Sequence, residues 1–339
     1  MADISLTRGQ FLVQFIDMLA DTGVATESML IKHALPGNLE HAVDTYVPMV
    51  NAIQFTDTAS RSQGIPDFGH FVSLGASISW LSRQLRALIF NSPTLLCALR
   101  NLCLYAHIES TALSYSLASH GSSIRLCGKY NGITGLRGME HAEWILNAVP
   151  IQIVRQFTGP AWVPEAMGFQ ARYAPSPQAL EHWPNTRIIT GQQTSWIEIP
   201  ANCMSLPGTS GLQSHTAVVA DIADSDGRLV KSLKLMLPSY LGGRIPSLEE
   251  LAEMANTSTR SLQRLLREAG TSYRDILNVA RFERAAMLLE KSDMIITDIG
   301  RALGYTDGAH FTRAFRRISG MTPMEYRKNR NFATLTVQS

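Results

Sequence analysis

Over residues 10–200 the hydrophobic pattern alternates between two periods. Gln10–Ala20, Leu39–Phe55, Ile78–Phe90, Pro93–Ile108 and Met139–Phe157 carry apolar residues at helical spacing, with Asn91-Ser92 as the break and cap between the third and fourth. Thr111–Ser119 and Ser122–Lys129 read as strands around Gly121, Trp162–Tyr173 as another, and Arg187–Ile199 as one or two more. Residues 176–183, SPQALEHW, read as a short capped helix. Helices mixed with antiparallel strands predict an α+β domain over residues 1–220.

From residue 228 the pattern is helical and repeats. Leu229, Leu233 and Leu237 recur every four residues, and Pro238 with Gly242-Gly243 is expected to end that helix. Ser247 and Glu250 form a capping box ahead of the stripe Leu248, Leu251, Ala252 and Ala255. Asn256 suits a left-handed turn, and Ser258 caps a helix over Thr259–Glu268 with Leu262, Leu265 and Leu266 inward. A longer helix opens at Ser272 and reaches about Glu290, with Ile276, Val279, Ala280, Ala286 and Leu289 inward. Ile299, Leu303 and Gly304 then match Leu251, Ala255 and Asn256 at an offset of 48, and Phe311 and Arg313 match Leu262 and Arg264 at 49. Asp307 is the expected cap of a helix over Gly308–Ser319, and Thr322-Pro-Met-Glu325 a capping box for a last short helix through Tyr326. The spacing predicts an all-α domain over residues 229–330 with two helix-turn-helix units joined by a long helix. Residues 221–228 are the expected linker and 331–339 a tail.

Charge sharpens this picture. The chain has 339 residues and a net charge of +2, but residues 1–224 hold 12 Lys and Arg against 16 Asp and Glu, while residues 225–330 hold 18 against 12. A basic segment of paired helices fits nucleic acid, since a helix enters the major groove and a basic face meets phosphates. No apolar run reaches the ~20 residues of a membrane-spanning helix. The first residues lack the basic-then-apolar order of a signal peptide, so a soluble cytoplasmic protein with no membrane partner is expected. Cys97, Cys103, Cys127 and Cys203 are spaced too loosely for a zinc site and are expected to be reduced and mostly buried.

The strings PSLEELAEMANTSTRSLQRLLREAGTSYRDIL and ITDIGRALGYTDGAHFTRAFRRISGMTPMEYR, within residues 229–330, resemble the DNA-binding domain of the AraC/XylS family of bacterial transcription regulators. The resemblance implies base reading by the outward side chains of the first recognition helix, here Arg260, Gln263 and Arg264. Their chemistry agrees, because Arg pairs with guanine O6/N7 and Gln with adenine N6/N7 in bidentate fashion. In the second helix the corresponding positions are Gly308, Ala309, His310, Thr312 and Arg313. Gly308 and Ala309 depart from the long polar side chains often found there, so His310 and Arg313 are expected to read bases. Ser258, Thr259, Thr306, Thr312, Arg316 and Arg317 are expected on phosphates, which position without specifying.

FQARYAPSPQALEHWPNTRIITGQQTSWIEIPANCMSLP resembles the end of the arabinose-binding-like amino-terminal domain of one AraC branch, which includes the ornithine-utilisation regulators. That implies a domain for a small-molecule effector of unknown identity and for dimerisation, with no sugar implied. Regulation of transcription is expected, as an activator working with RNA polymerase on double-stranded promoter DNA as a homodimer. No catalytic motif, cofactor or metal set is present in the sequence. NGITGLRG, with Gly132, Gly135 and Gly138, lacks the phosphate-loop lysine and reads as a plain loop; His107 reads as a core residue; Trp80 with Arg83 and Arg86 reads as an ordinary helix face rather than an acid clamp. The alternatives are an effector-independent dimeric DNA binder and a DNA-repair alkyl-acceptor protein, the latter disfavoured by the cysteine spacing.

Overall fold

A three-residue strand, β1 (Leu6–Arg8), leads into the amphipathic helix α1 (Gly9–Ala20) in the computed structural model. The structure describes residues 2–20, 23–37, 39, 45–208 and 227–335, with backbone alone over 330–335. The chain falls into two units: Ser5–Met29 with Val47–Ala223, and Met1–Ile4 with Leu30–Tyr46 and Asp224–Ser339. Most of the expected linker at 221–228 lies outside the described residues. Residues 2–4 and 30–37 group with the carboxy-terminal helices, and α2 (Thr26–Lys32) carries the chain from the first unit into the second.

In the first unit β2 (Tyr46–Pro48) pairs with β1, and α3 (Met49–Gln63), α4 (Phe68–Leu74), α5 (Arg83–Phe90) and α6 (Leu95–Tyr105) follow. The helix expected over Leu39–Phe55 is therefore corrected: residues 46–48 are drawn into pairing with β1 and Pro48 is extended, while 40–44 lie outside the described residues. Ile78–Phe90 is not one helix either. Leu81 and Ser82 are extended, and the Ser82 hydroxyl accepts from the Leu85 N–H to start α5. The cap of α6 is Thr94, whose Oγ1 accepts from the Cys97 N–H; the Ser92 hydroxyl instead donates to the Leu88 carbonyl.

The hairpin expected around Gly121 is present as β3 (Leu113–His120) and β4 (Ser123–Tyr130). The helix α7 (Met139–Thr158), the strand β5 (Ala166–Gly168), the helix α8 (Pro177–Glu181) with its Ser176 cap, and the strands β6 (Arg187–Ile189) and β7 (Ser195–Pro200) complete the unit. The five-stranded sheet has the order β3-β4-β7-β5-β6, antiparallel except for β5 with β6. Of the strand expected over Trp162–Tyr173 only residues 166–168 pair. Helix α7 lies on this sheet: the Tyr115 hydroxyl donates to the Leu146 carbonyl at 2.6 Å and Asn147 Nδ2 to the Gly168 carbonyl at 3.1 Å. A Cβ at residue 128 would stand 2.6 Å from the Tyr115 ring and 2.8 Å from Leu146, so this close approach requires Gly128.

The second unit is helical: α9 (Arg228–Tyr240), α10 (Leu248–Met254), α11 (Thr259–Glu268), α12 (Tyr273–Lys291), α13 (Ile296–Ala302), α14 (Gly308–Ser319) and α15 (Pro323–Leu335). Pro238 sits inside α9 rather than ending it, and Gly242, at φ 87, makes the turn. In this unit Tyr240 donates its hydroxyl to the Ala34 carbonyl at 2.8 Å, and Ser232 donates to Asp3 Oδ1 at 2.7 Å. The final helix runs to Leu335, well past Tyr326. On α12 the inward residues are Ile276, Ala280, Ala285 and Leu289; Val279 is exposed and Ala286 only half-buried.

The expected repeat is reproduced in backbone and burial. Leu251 and Ala255 are buried as are Ile299 and Leu303, Leu262 and Leu266 as are Phe311 and Phe315, and both turns take positive φ, 47° at Asn256 and 79° at Gly304. The capping box is complete: Ser247 Oγ accepts from the Glu250 N–H at 3.2 Å and Glu250 Oε2 accepts from the Ser247 N–H at 2.8 Å. Ser247→Ala is expected to lower stability by about 1 kcal/mol. A chemical-denaturation midpoint checks this, with exposed Gln263→Ala leaving the α10 cap untouched for comparison. No helix among the described residues is long and apolar enough to cross a membrane.

Candidate nucleic-acid interface

Helix α11 is anchored from one side. Leu262 and Leu266 are buried, so residues one and two places away along the helix turn outward, and Arg260, Gln263, Arg264 and Arg267 are all exposed. Arg260, Ser261, Arg264, Arg267 and Glu268 border a shallow concavity on this face. Arg264 Nη1 meets Glu268 Oε1 at 2.9 Å with both side chains more than half exposed, an ion pair weak enough to be exchanged for another acceptor. Arg267 Nε donates to the Gln263 carbonyl. Arg267 is absent from the expected contacts, although its position, one turn from Arg264 and two from Arg260, was readable from the helical spacing.

Helix α14 repeats this construction. Phe311 and Phe315 fix its inner face, and Gly308, Ala309, His310, Arg313, Arg316 and Arg317 are exposed. The His310 ring stands edge-on to Tyr305, with centroids 5.5 Å apart, and Tyr305 packs in turn on Phe311 and beneath the Arg281 guanidinium. Burial raises the Tyr305 phenol above its usual range, so it remains a neutral aromatic support. Thr306 is exposed, while Thr312 is half-buried and its hydroxyl donates to the Gly308 carbonyl. Ser258 is committed to capping, with its Oγ accepting from the Ser261 N–H and donating to Ser261 Oγ; Thr259 beside it is half-buried.

The first unit differs from expectation in its candidate ligand contacts. His107 is exposed, with Nδ1 at 3.1 Å from the Leu104 carbonyl, because the short turn after α6 carries it off the core face. Trp80 is buried whereas Arg83 is exposed, since the chain breaks at Leu81-Ser82 between them. In NGITGLRG all three glycines, Gly132, Gly135 and Gly138, have positive φ, and Gly138 starts α7 against Asp57, where a Cβ would lie 2.7 Å from the Asp57 Cβ. The four cysteines are free and half-buried rather than fully buried, and burial lifts the Cys103 thiol to about 11, leaving it protonated at neutral pH.

Residues 23–207 match the arabinose-binding domain of AraC transcription regulators, and residues 251–329 match a helix-turn-helix domain. The ornithine utilization regulator of Pseudomonas aeruginosa is 30% identical over 145 residues, 40% of this chain and 42% of that protein, so the match spans under half of that relative's length. The transcriptional regulator VirS of Mycobacterium tuberculosis is 23% identical over 95% of this chain and 96% of its own. Among solved structures, the regulator CdpR of Pseudomonas aeruginosa covers 90% of this chain and 96% of its own at 16% identity, with a TM-score of 0.40. The DNA-binding domain of AdpA, solved with a target DNA, covers 30% and 90% at 25% identity, with a TM-score of 0.27. Because the amino-terminal match alone takes in more than half of the chain, the protein belongs to the AraC family of DNA-binding transcription regulators, with an arabinose-binding-like amino-terminal domain, and is a regulator rather than an enzyme.

Proposed function

We propose that this regulator reads promoter DNA with α11 and α14, and that a small-molecule effector in the first unit controls it as a homodimeric, cytoplasmic activator that works with RNA polymerase. The observation that carries the DNA reading is the exposed row Arg260, Gln263 and Arg264 on a helix whose opposite face is pinned by Leu262 and Leu266. A helix held this way presents long polar side chains without losing its seat when they engage. Arg260, Gln263, Arg264, His310 and Arg313 are assigned to base edges. Arg316, Arg317 and Thr306, with Thr259, Thr312 and the α11 amino terminus at Ser258, are assigned to phosphates. Arg267 joins the α11 contacts. Effector control works by population shift: ligand bound more tightly to one state of the protein favours that state at the promoter.

Arg264→Ala is expected to weaken specific binding by about 1–3 kcal/mol and to relax the preference at its base position. Arg317→Ala is expected to weaken all sequences alike and reduce the slope of log affinity against log salt by about one. Selection from a randomised-site library, followed by salt titration of the winning site, separates the two. Unchanged site selection by Arg264→Ala overturns the assignment of α11 to base reading.

A further inference from the structure

The first unit holds a partly open pocket of about 70 Å³ between α1, α3, α7 and the β3–β4 hairpin. Phe11, Phe15, Met49, Ile53, Ile145 and Leu146 supply much of its wall. Natural cores pack to the density of organic crystals, so a mainly apolar recess reaching between a helix layer and a sheet marks a place where packing is incomplete. A dry cavity of ~150 Å³ lined by Leu, Ile and Phe holds benzene. The space here is about half that, so a ligand of benzene's size enters as the wall gives way, and Met49, with an unbranched thioether, is the side chain suited to move.

The polar groups of the wall decide what can enter. Its ionised group, Glu109, is fully engaged: Oε2 meets Arg8 Nη1 at 3.0 Å and Oε1 accepts from the Ser82 N–H at 2.9 Å. Tyr115 is committed to the Leu146 carbonyl, Ser110 to the Leu6 carbonyl and Thr56 to the Ile53 carbonyl. The hydroxyls of Tyr130 and Thr7 have no hydrogen-bond partner among the described residues. Burial raises the Tyr130 phenol, keeping it a neutral donor and acceptor. A charged ligand would lose its hydration here and meet no free counter-ion, whereas a neutral molecule with one hydroxyl or carbonyl would find an apolar wall and a waiting partner.

We infer that this cavity is the effector site and that it takes a neutral, mainly apolar molecule of about benzene's size bearing one hydroxyl or carbonyl group, held by Tyr130. This rests on the proposed effector control of the first unit and specifies its ligand chemistry. It excludes free amino acids, polyamines and carboxylates from the cavity. The route to regulation is short along the chain: Thr7 is in the wall, and Asp3, four residues earlier, accepts from Ser232 of α9 within the helical unit.

The test uses the full-length protein and measures thermal stability and promoter affinity with phenol and cyclohexanone in one arm and benzoate and L-ornithine in the other. Phenol and cyclohexanone are expected to raise Tm in a concentration-dependent way, because a ligand that binds the native state alone stabilises it by mass action. Benzoate and L-ornithine are expected to leave Tm unchanged. Ala142→Leu, which fills the cavity from α7, is expected to abolish the phenol shift, and the milder Tyr130→Phe to weaken phenol about tenfold. A shift by benzoate or L-ornithine alone, or a phenol shift that survives both variants, overturns the inference while leaving effector control open to another site. A phenol shift lost in the variants, with promoter affinity unchanged by phenol, upholds the cavity's ligand chemistry and instead refutes effector control.

Discussion

Phe311→Ala is expected to destabilise the helical unit by about 3–5 kcal/mol, enough to lower its melting temperature by roughly 12 °C or more. Phe311 is 2% exposed and sits among Ile299, Leu303, Ala285, Leu289 and Phe315. Its ring also supports Tyr305, which supports His310, and it lies against Gly300, where a Cβ would come within 3.2 Å of the ring. Truncation therefore opens a hole that α13 and α14 cannot both close, and it removes the seat of the second recognition helix. Circular dichroism during thermal unfolding measures the loss; exposed Arg313→Ala is the control, expected to stay within ~0.5 kcal/mol. A loss under 1 kcal/mol for Phe311→Ala would mean that α14 is not anchored through this ring. The distinction matters for DNA binding: Phe311→Ala should impair contacts from α14 through folding, whereas Arg313→Ala should impair them with the fold intact.

Much of the helical unit was legible because its signals are local. Ser247 with Glu250, Asn256, Ser258, Gly304 and Asp307 each act within four residues of their partners, and each appears in the expected role. The errors there are shifts of phase: on α12, Ala285 takes the core position assigned to Ala286, because a long helix between two helix pairs turns different faces to each and no single stripe describes it. Pro238 on its own predicts a stop, yet it is tolerated in the last turn of α9. The first unit was less legible for a different reason. Its strands β5 and β6 are three residues long, too short for alternation to distinguish from loop, and they exist because the sheet presents partners from far along the chain. The grouping of residues 2–4 and 30–37 with α9 depends on bonds such as Ala34 to Tyr240, across 206 positions, which leave no periodic trace. The cavity was invisible for the same reason, since a void is a property of packed surfaces and its lining residues look like any core.

Glu109→Ala is expected to cost the first unit about 3–5 kcal/mol, because it leaves the Arg8 charge buried without its counter-ion. The side chains are 5% and 2% exposed, 3.0 Å apart, and separated by 101 positions in sequence, where each reads as an ordinary surface charge. Arg8 Nη1 also donates to the Trp80 carbonyl at 3.0 Å, so the pair ties β1 to the turn before α5 and to the segment between α6 and β3. Arg8→Met with Glu109→Leu is expected to cost less than either single truncation, since two apolar side chains of similar volume remove both charges together. Urea unfolding of the two single variants and the double variant gives the coupling directly, and additive losses would show that the pair is not one unit. The double variant also bears on the cavity, whose wall includes Glu109. Its expected preference for phenol over benzoate is unchanged, because the wall then offers no ion at all. A gain of benzoate binding would instead mean that the carboxylate of Glu109, rather than the absence of a free cation, had been keeping anions out.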